Sequence, residues 1–215
     1  MSLLELVLAK AILKNRYDID SDKIKGMYTY GSANYGTLTE QSDYDFVVIV
    51  DMKQNEYLQY ESEDLDIHFI SEDYYKQLLI DHDIMALECY YHKRPILKYE
   101  IDFKLNLVTL RKKISAICNN SWVKAGKKMN LPEEDDYTGL KSLFHSFRIL
   151  SYGIQLARDG DIRFSNCGLV GTTDNFFREL KHQFNLGKRW DYFKEKYKLE
   201  HNEMATQFRL LAPKE

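Results

Sequence analysis

The sequence has few of the residues that break or staple a chain. Three Pro and ten Gly in 215 residues leave no low-complexity linker and no disordered composition. Only three cysteines occur, Cys89, Cys118 and Cys167. They are odd in number, far apart and outside any CxxC or zinc-ligand spacing, which excludes a disulfide framework and a cysteine metal site and predicts reduced, buried, structural thiols. No apolar run approaches the ~18 residues of a membrane span, and no signal-peptide pattern opens the chain. The expectation is a soluble cytoplasmic protein with no membrane partner. A net charge of -3 and a pI near 6.1 exert no overall pull toward nucleic acid, although a local basic patch stays compatible with them.

What is present is enough apolar residue for one good core, or for one core plus a packed helical extension, 44% of the chain. Residues 2–14 place Leu3, Leu6, Val7, Ala11 and Leu13 at helical spacing after Ser2. Residues 25–30 are rich in β-formers and run into Gly31-Ser32-Ala33-Asn34-Tyr35-Gly36, after which Ser42-Asp43-Tyr44-Asp45 leads into the apolar run Phe46 to Val50. That pattern predicts strand, glycine turn, short helix, strand. Asp64 to Ile70 alternates as a third strand with two unlike faces. From Ser71, a cap followed by Glu72 and Asp73, two helical pieces run toward Pro95.

Composition then changes. Helices are predicted over 103–130, 139–159, 174–185 and 190–211, with a loop near 131–138 where Leu131-Pro132 precedes an acidic run, and with Gly187 dividing the last two. The expected fold class is α+β: a small mixed β-sheet with flanking helices over residues 1–100, followed by a helical domain over 101–215 that closes a cleft.

One constellation carries chemistry. Asp43 and Asp45, at i and i+2 on an extended segment, point the same way and can reach one site. A third carboxylate, Asp66, lies on a neighbouring predicted strand. Such oxygen donors suit magnesium, and a third carboxylate allows two ions about 3.5 to 4 Å apart to clamp an in-line displacement. The Gly31-Ser32 turn offers backbone N–H groups and a hydroxyl to phosphate oxygens. Asp64 rivals Asp66, which is preferred because Leu65 and Ile67 flank it inside the strand, whereas Asp64 follows the acidic run 61–63. A lone Asp-x-Asp after serine is more often a turn or cap. The ordered set Gly31-Ser32, Gly36, Asp43, Asp45 and Asp66 is what raises it to a site.

Weaker candidates accompany it. Lys141, His145, Arg148 and Tyr152 recur at spacings of four, three and four on one helix face, suited either to a triphosphate or to plain solvation. Trp122 with Lys124, Lys127 and Lys128 mixes aromatic and basic groups as nucleic-acid contacts do, though packing plus a solvated face accounts for them more simply. His68 is expected on the same side as Asp66, where it either tunes that carboxylate or is a satisfied, partly buried histidine. Tyr35 in the glycine turn suits either base stacking or packing.

The stretch GSANYGTLTEQSDYDFVVIV resembles the signature of the polymerase-β nucleotidyltransferase superfamily: Gly-Ser, a downstream Gly, then Ser-Asp-x-Asp before an apolar strand. That likeness covers about residues 28–70. A looser one, through DLDIHFISEDYYKQLLIDHDIMALECYY and KSLFHSFRILSYGIQLARDGDI to about residue 165, is to the nucleotidyltransferase branch associated with RNA ligases and RNA repair. The resemblance implies transfer of a nucleoside monophosphate from an NTP to an acceptor hydroxyl, with pyrophosphate leaving. It implies Asp43, Asp45 and Asp66 as ligands of two Mg2+ ions, with Mn2+ as the alternative metal, and Asp66 as base toward the acceptor. Gly31 and Ser32 of the turn, Ser42 beside the Asp-x-Asp pair, and Lys141, His145 and Arg148 of the helix face are the candidate nucleotide-binding residues. ATP is the superfamily's default, and an RNA 3′ end is the acceptor that the branch suggests. Two other classes stay open: the same chemistry on a protein or small molecule, and a noncatalytic or antitoxin-like binding module. Sequence names neither the base, the acceptor nor the oligomeric state.

Overall fold

The computed structural model describes residues 3–39, 42–130 and 136–214. The chain forms two compact units, Met1–Lys104 and Leu105–Glu215.

The first unit opens with helix α1 (Leu3–Tyr17), then strand β1 (Ile24–Tyr30), a single-turn helix α2 (Ser32–Tyr35), strands β2 (Tyr44–Val50), β3 (Tyr57–Ser62) and β4 (Leu65–Ser71), and helices α3 (Glu72–Ile80) and α4 (Ile84–Tyr90). The strands make one mixed sheet in the order β1-β2-β4-β3, with β2 and β4 parallel and the outer pairs antiparallel. Sequence patterning predicted three of these strands. The fourth, β3, is an edge strand carrying Glu, Gln and Ser among its tyrosines, which is why no apolar run announced it.

Alternation sorts the sheet into two faces. One carries Met27, Phe46, Val48, Val50, Ile67 and Phe69, and these pack with Ala9, Ile12 and Leu13 of α1 into the core. Truncating a side chain such as Phe69, which is fully buried, to Ala costs roughly 3–5 kcal/mol for lost transfer energy and cavity. The opposite face is apolar at Val47, Ile49 and Ile70 and polar at the other end of the same strands, where Asp45, Asp66 and His68 lie.

Local chemistry sets the ends of the elements. Ser71 Oγ accepts from Tyr74 N at 3.2 Å and caps α3, as the sequence predicted, and Asp83 Oδ1 accepts from Met85 N at 3.0 Å to cap α4. The break between the two helices falls at His82, which adopts φ 54°. The helical region ends at Tyr90, ahead of Pro95, and Leu97 then exchanges backbone hydrogen bonds with Met27 along the outer edge of β1.

The second unit is helical: α5 (Leu107–Met129), α6 (Asp136–Asp159), α7 (Thr173–Asn185) and α8 (Trp190–Leu211). The loop predicted near 131–138 falls partly on residues 131–135, outside the described residues, while 136–138 already belong to α6. Gly187, φ 80°, stands between the last two helices. α6 is buried on nearly every side from Gly139 to Leu156. Among the described residues no helix is long and apolar enough to cross a membrane.

Candidate active site

The polar end of the sheet gathers residues from four strands into one row. Tyr30 of β1 is in register with Asp45 of β2, Asp45 with Asp66 of β4, and Asp66 with Glu61 of β3. Residues in register share a face, so the carboxylates of Asp45 and Asp66 leave the same side of adjacent parallel strands. Asp43 lies one residue before β2 and is exposed. Asp64 occupies the two-residue turn between β3 and β4, exposed, with its carbonyl accepting from Tyr44 N at 2.9 Å.

Gly31 is required by two separate facts. Its backbone adopts φ 66° and ψ −145°, a region costly for a residue with a side chain, and a Cβ there would run into the Asp45 carboxylate. The glycine therefore makes the cradle in which Asp45 sits. Ser32 opens α2, and its carbonyl accepts from the N–H groups of Gly36 and Thr37. Ser42 closes the preceding loop: its Oγ accepts from Thr39 N at 3.0 Å and its own N–H donates to Thr39 O at 3.0 Å.

The turn is braced from both sides. Asn34 Nδ2 donates to Thr29 O at 2.9 Å, and Asn34 Oδ1 accepts from Thr29 Oγ1 at 2.8 Å. His92 joins them through Nε2, 2.9 Å from Thr29 Oγ1 and 3.2 Å from Asn34 Oδ1, while its Nδ1 accepts from Arg94 N at 3.2 Å. Burial lowers the pKa of His92, which favours the neutral Nε2–H tautomer that these partners require. Tyr35 points inward and its hydroxyl donates to the fully buried Glu88 at 2.7 Å.

Asp66 has a partner that sequence reading missed. Gln59 Nε2, on the unpredicted strand β3, donates to both carboxylate oxygens, at 2.9 and 3.1 Å. His68, expected on the same side, is there: its Nε2 lies 3.4 Å from Asp66 Oδ2, and its Nδ1 is 2.6 Å from the Tyr57 hydroxyl. Burial first, then the Asp66 charge, raises the Tyr57 phenol. The signal for β3 was the alternation of Tyr57, Gln59 and Glu61 against Leu58, Tyr60 and Ser62, followed by a two-residue turn.

A divalent cation can be tested against these donors. Asp45 and Asp66 supply hard oxygens in register on adjacent strands, and the Gly31 cradle fixes where the Asp45 carboxylate lies, so this pair fits such an ion in kind and direction. Among the described residues, however, no three His, Cys, Asp or Glu groups are drawn together into a metal-holding cluster.

The remaining candidates belong to the second unit. Lys141 is exposed, with Nζ 5.2 Å from the centre of the Tyr137 ring. Arg148 is only 4% exposed, donates from Nη2 to His145 Nδ1 at 2.8 Å and stacks 5.1 Å from the Tyr152 ring centre. His145 is held neutral, its pKa lowered to about 3 by burial and then by the charges of Arg148 and Lys124. The row on α6 thus runs from a solvated lysine into the helical core rather than along a solvated face. Trp122 packs its ring 4.2 Å from His201 and 5.1 Å from Trp190. Cys89, Cys118 and Cys167 are free and buried, as expected, and burial raises each thiol pKa.

No curated protein matches the chain. A solved structure described as a nucleotidyltransferase-like protein from Exiguobacterium sibiricum 255-15 aligns with 97% of this chain and 74% of its own, at 13% identity and a TM-score of 0.33, a likeness too slight to add to the site. The family comparison is stronger: residues 9–117, just over half of the chain and the whole of the carboxylate row, match the nucleotidyltransferase domain, and the chain belongs to that family, whose chemistry is nucleotide transfer.

Proposed function

We propose that the protein transfers a nucleoside monophosphate from an NTP to an acceptor hydroxyl, with Asp43, Asp45 and Asp66 as its working carboxylates. The observation that carries this is the register of Asp45 with Asp66 beside a glycine whose missing Cβ leaves room for the Asp45 carboxylate. Asp43, Asp45 and Asp66 would hold the divalent metal, magnesium or manganese; when bound, it supplies positive charge to the triphosphate and to the departing pyrophosphate. Gly31 and Ser32 lie against the phosphates through the turn backbone and the Ser32 hydroxyl. Asp66 takes the proton of the acceptor hydroxyl. The acceptor oxygen forms a bond to the α-phosphorus, the bond from that phosphorus to the bridging oxygen breaks, and pyrophosphate carries away the electron pair.

The acceptor in this proposal is an RNA 3′ end, from the resemblance to RNA-repair nucleotidyltransferases, and the nucleotide is ATP. Incubation with each α-labelled NTP and magnesium, with and without RNA, tests both choices. Label on RNA that disappears in Asp43→Asn/Asp45→Asn supports them; label on the protein or a small molecule keeps the chemistry and replaces the acceptor. One observation favours a second reading, a noncatalytic module of the same fold: Gln59 already engages both oxygens of Asp66. That alternative requires that no NTP be consumed.

A further inference from the structure

Two sets of cations stand out in the second unit. One group is neutralised by carboxylates: Arg158 and Arg163 by Asp159 at 2.9 and 2.6 Å, Arg178 by Asp174 at 2.6 Å, and Lys196 by Glu179 at 2.7 Å. The other surrounds a cavity of about 540 Å³ lined by Arg111, Lys112 and Ser115 of α5, Arg209 of α8 and Lys214 just beyond it. Among the described residues no carboxylate lines it and none of these four cations forms an ion pair.

The arrangement is partly preorganised. Arg111 Nη1 donates to the carbonyl oxygens of Arg209 at 2.9 Å and Ala212 at 2.5 Å, satisfying acceptors left over at the end of α8. That anchors one guanidinium at the cavity wall at no cost to a ligand. Ser115, one helical turn after Arg111, brings a hydroxyl to the same wall. In a chain of net charge -3, four cations brought to one cavity with no counter-charge among the described residues repel one another, and an anion relieves that repulsion.

We propose that this cavity binds a phosphate group, the oxyanion chemistry shared by free phosphate and by the phosphodiester backbone of an RNA strand. Two guanidinium groups suit the bidentate geometry of phosphate oxygens, two ammonium groups add charge, and the hydroxyl adds a donor. Charge of four exceeds what one carboxylate would balance and suits a dianion or successive phosphodiesters. The site does not depend on the catalytic assignment, since none of its residues belongs to the carboxylate row.

The test uses the full-length protein, a fluorescent single-stranded RNA oligonucleotide and inorganic phosphate. Lys112, Arg209 and Lys214 are exposed, so Lys112→Glu/Arg209→Glu/Lys214→Glu leaves the core intact; Arg111 is kept because it caps α8. Lys188→Glu/Lys194→Glu/Lys198→Glu makes the same charge change at other exposed positions of the unit. RNA affinity is expected to fall on the order of tenfold or more in the first variant and to hold in the second, with the salt slope shallower by about 2 for three lost contacts at ~0.7 each. Binding of inorganic phosphate that the first variant abolishes, with RNA bound no tighter, supports the site and assigns it to free phosphate. Binding of neither probe, or equal loss in both variants, overturns it. Asp43→Asn/Asp45→Asn is expected to retain this binding, so the site and the catalytic proposal fail separately.

Discussion

Gln59 Nε2 straddles the carboxylate of Asp66, 2.9 Å from one oxygen and 3.1 Å from the other, so that the edge strand of the sheet fixes the orientation of the carboxylate assigned to the acceptor proton. Hydrogen bonds to a charged group contribute about 1.5–3 kcal/mol each where they are shielded, and Asp66 is 18% exposed. Gln59→Ala is therefore expected to leave the fold in place, with a melting point within a few degrees of wild type. The same change is expected to lower kcat by roughly one order of magnitude, because a loosely held base loses alignment. Steady-state kinetics check the split: a changed NTP KM with unchanged kcat would assign Gln59 to nucleotide binding instead.

Gly31→Ala sets a methyl group against the Asp45 carboxylate in a backbone conformation that disfavours any side chain. The conformational penalty is about 1–3 kcal/mol, and the displaced carboxylate adds its own effect on activity. Thermal unfolding is expected to shift down by several degrees, and transfer activity to fall by two orders of magnitude or more. Ser32→Ala, which removes one donor and leaves the turn, is expected to lose about tenfold.

Tyr35→Phe removes the hydroxyl that donates to Glu88, a side chain with no exposed surface. Loss of one partner from a buried carboxylate costs about 1–3 kcal/mol. Chemical denaturation is expected to report that loss with an unchanged m-value. Tyr35 is a buried anchor of the glycine turn, and this variant separates the stability of the turn from the chemistry of its neighbours.

Two histidines of the second unit make its stability depend on acid. The pKa of His145 is lowered to about 3, and that of His201 to about 4 by burial first and then by the Arg209 charge. Both lie below the usual value near 6.5, so the unfolded chain binds protons that the folded unit refuses. Stability is full above pH 6.5 and is lost progressively toward pH 4, at ~1.4 kcal/mol per pH unit for each histidine. Melting curves from pH 7.5 to 5 check the direction, and His145→Asn is expected to flatten the dependence by about half.

The strand-turn-strand order at the polar end of the sheet was legible because its residues are of unlike kinds in fixed order. Glycine, serine and aspartates punctuate apolar β-rich runs, and some carry a constraint visible in one dimension: a glycine turn at Gly31, a capping serine at Ser71. What stayed hidden depends on partners distant in sequence. β3 is short and turns only Leu58 and Tyr60 toward the core, too brief an alternation to stand out, so Gln59 read as an ordinary polar residue. Lys141, His145, Arg148 and Tyr152 share a spacing that marks a common face, but periodicity does not say that α6 is enclosed from Gly139 to Leu156, which buries Arg148 against His145 and Tyr152. The His92–Asn34–Thr29 brace spans over sixty residues and has no spacing to find.

The most direct measurement is pyrophosphate release from each NTP in the presence of magnesium, comparing wild type with Asp43→Asn/Asp45→Asn. Both side chains are neutralised without changing shape, so folding measured by circular dichroism should be the same. Release by the wild type that falls at least a hundredfold in the variant is the expected result. Release that the variant retains, or no release from any NTP alongside no metal-dependent NTP binding in calorimetry, would contradict nucleotidyl transfer by these carboxylates.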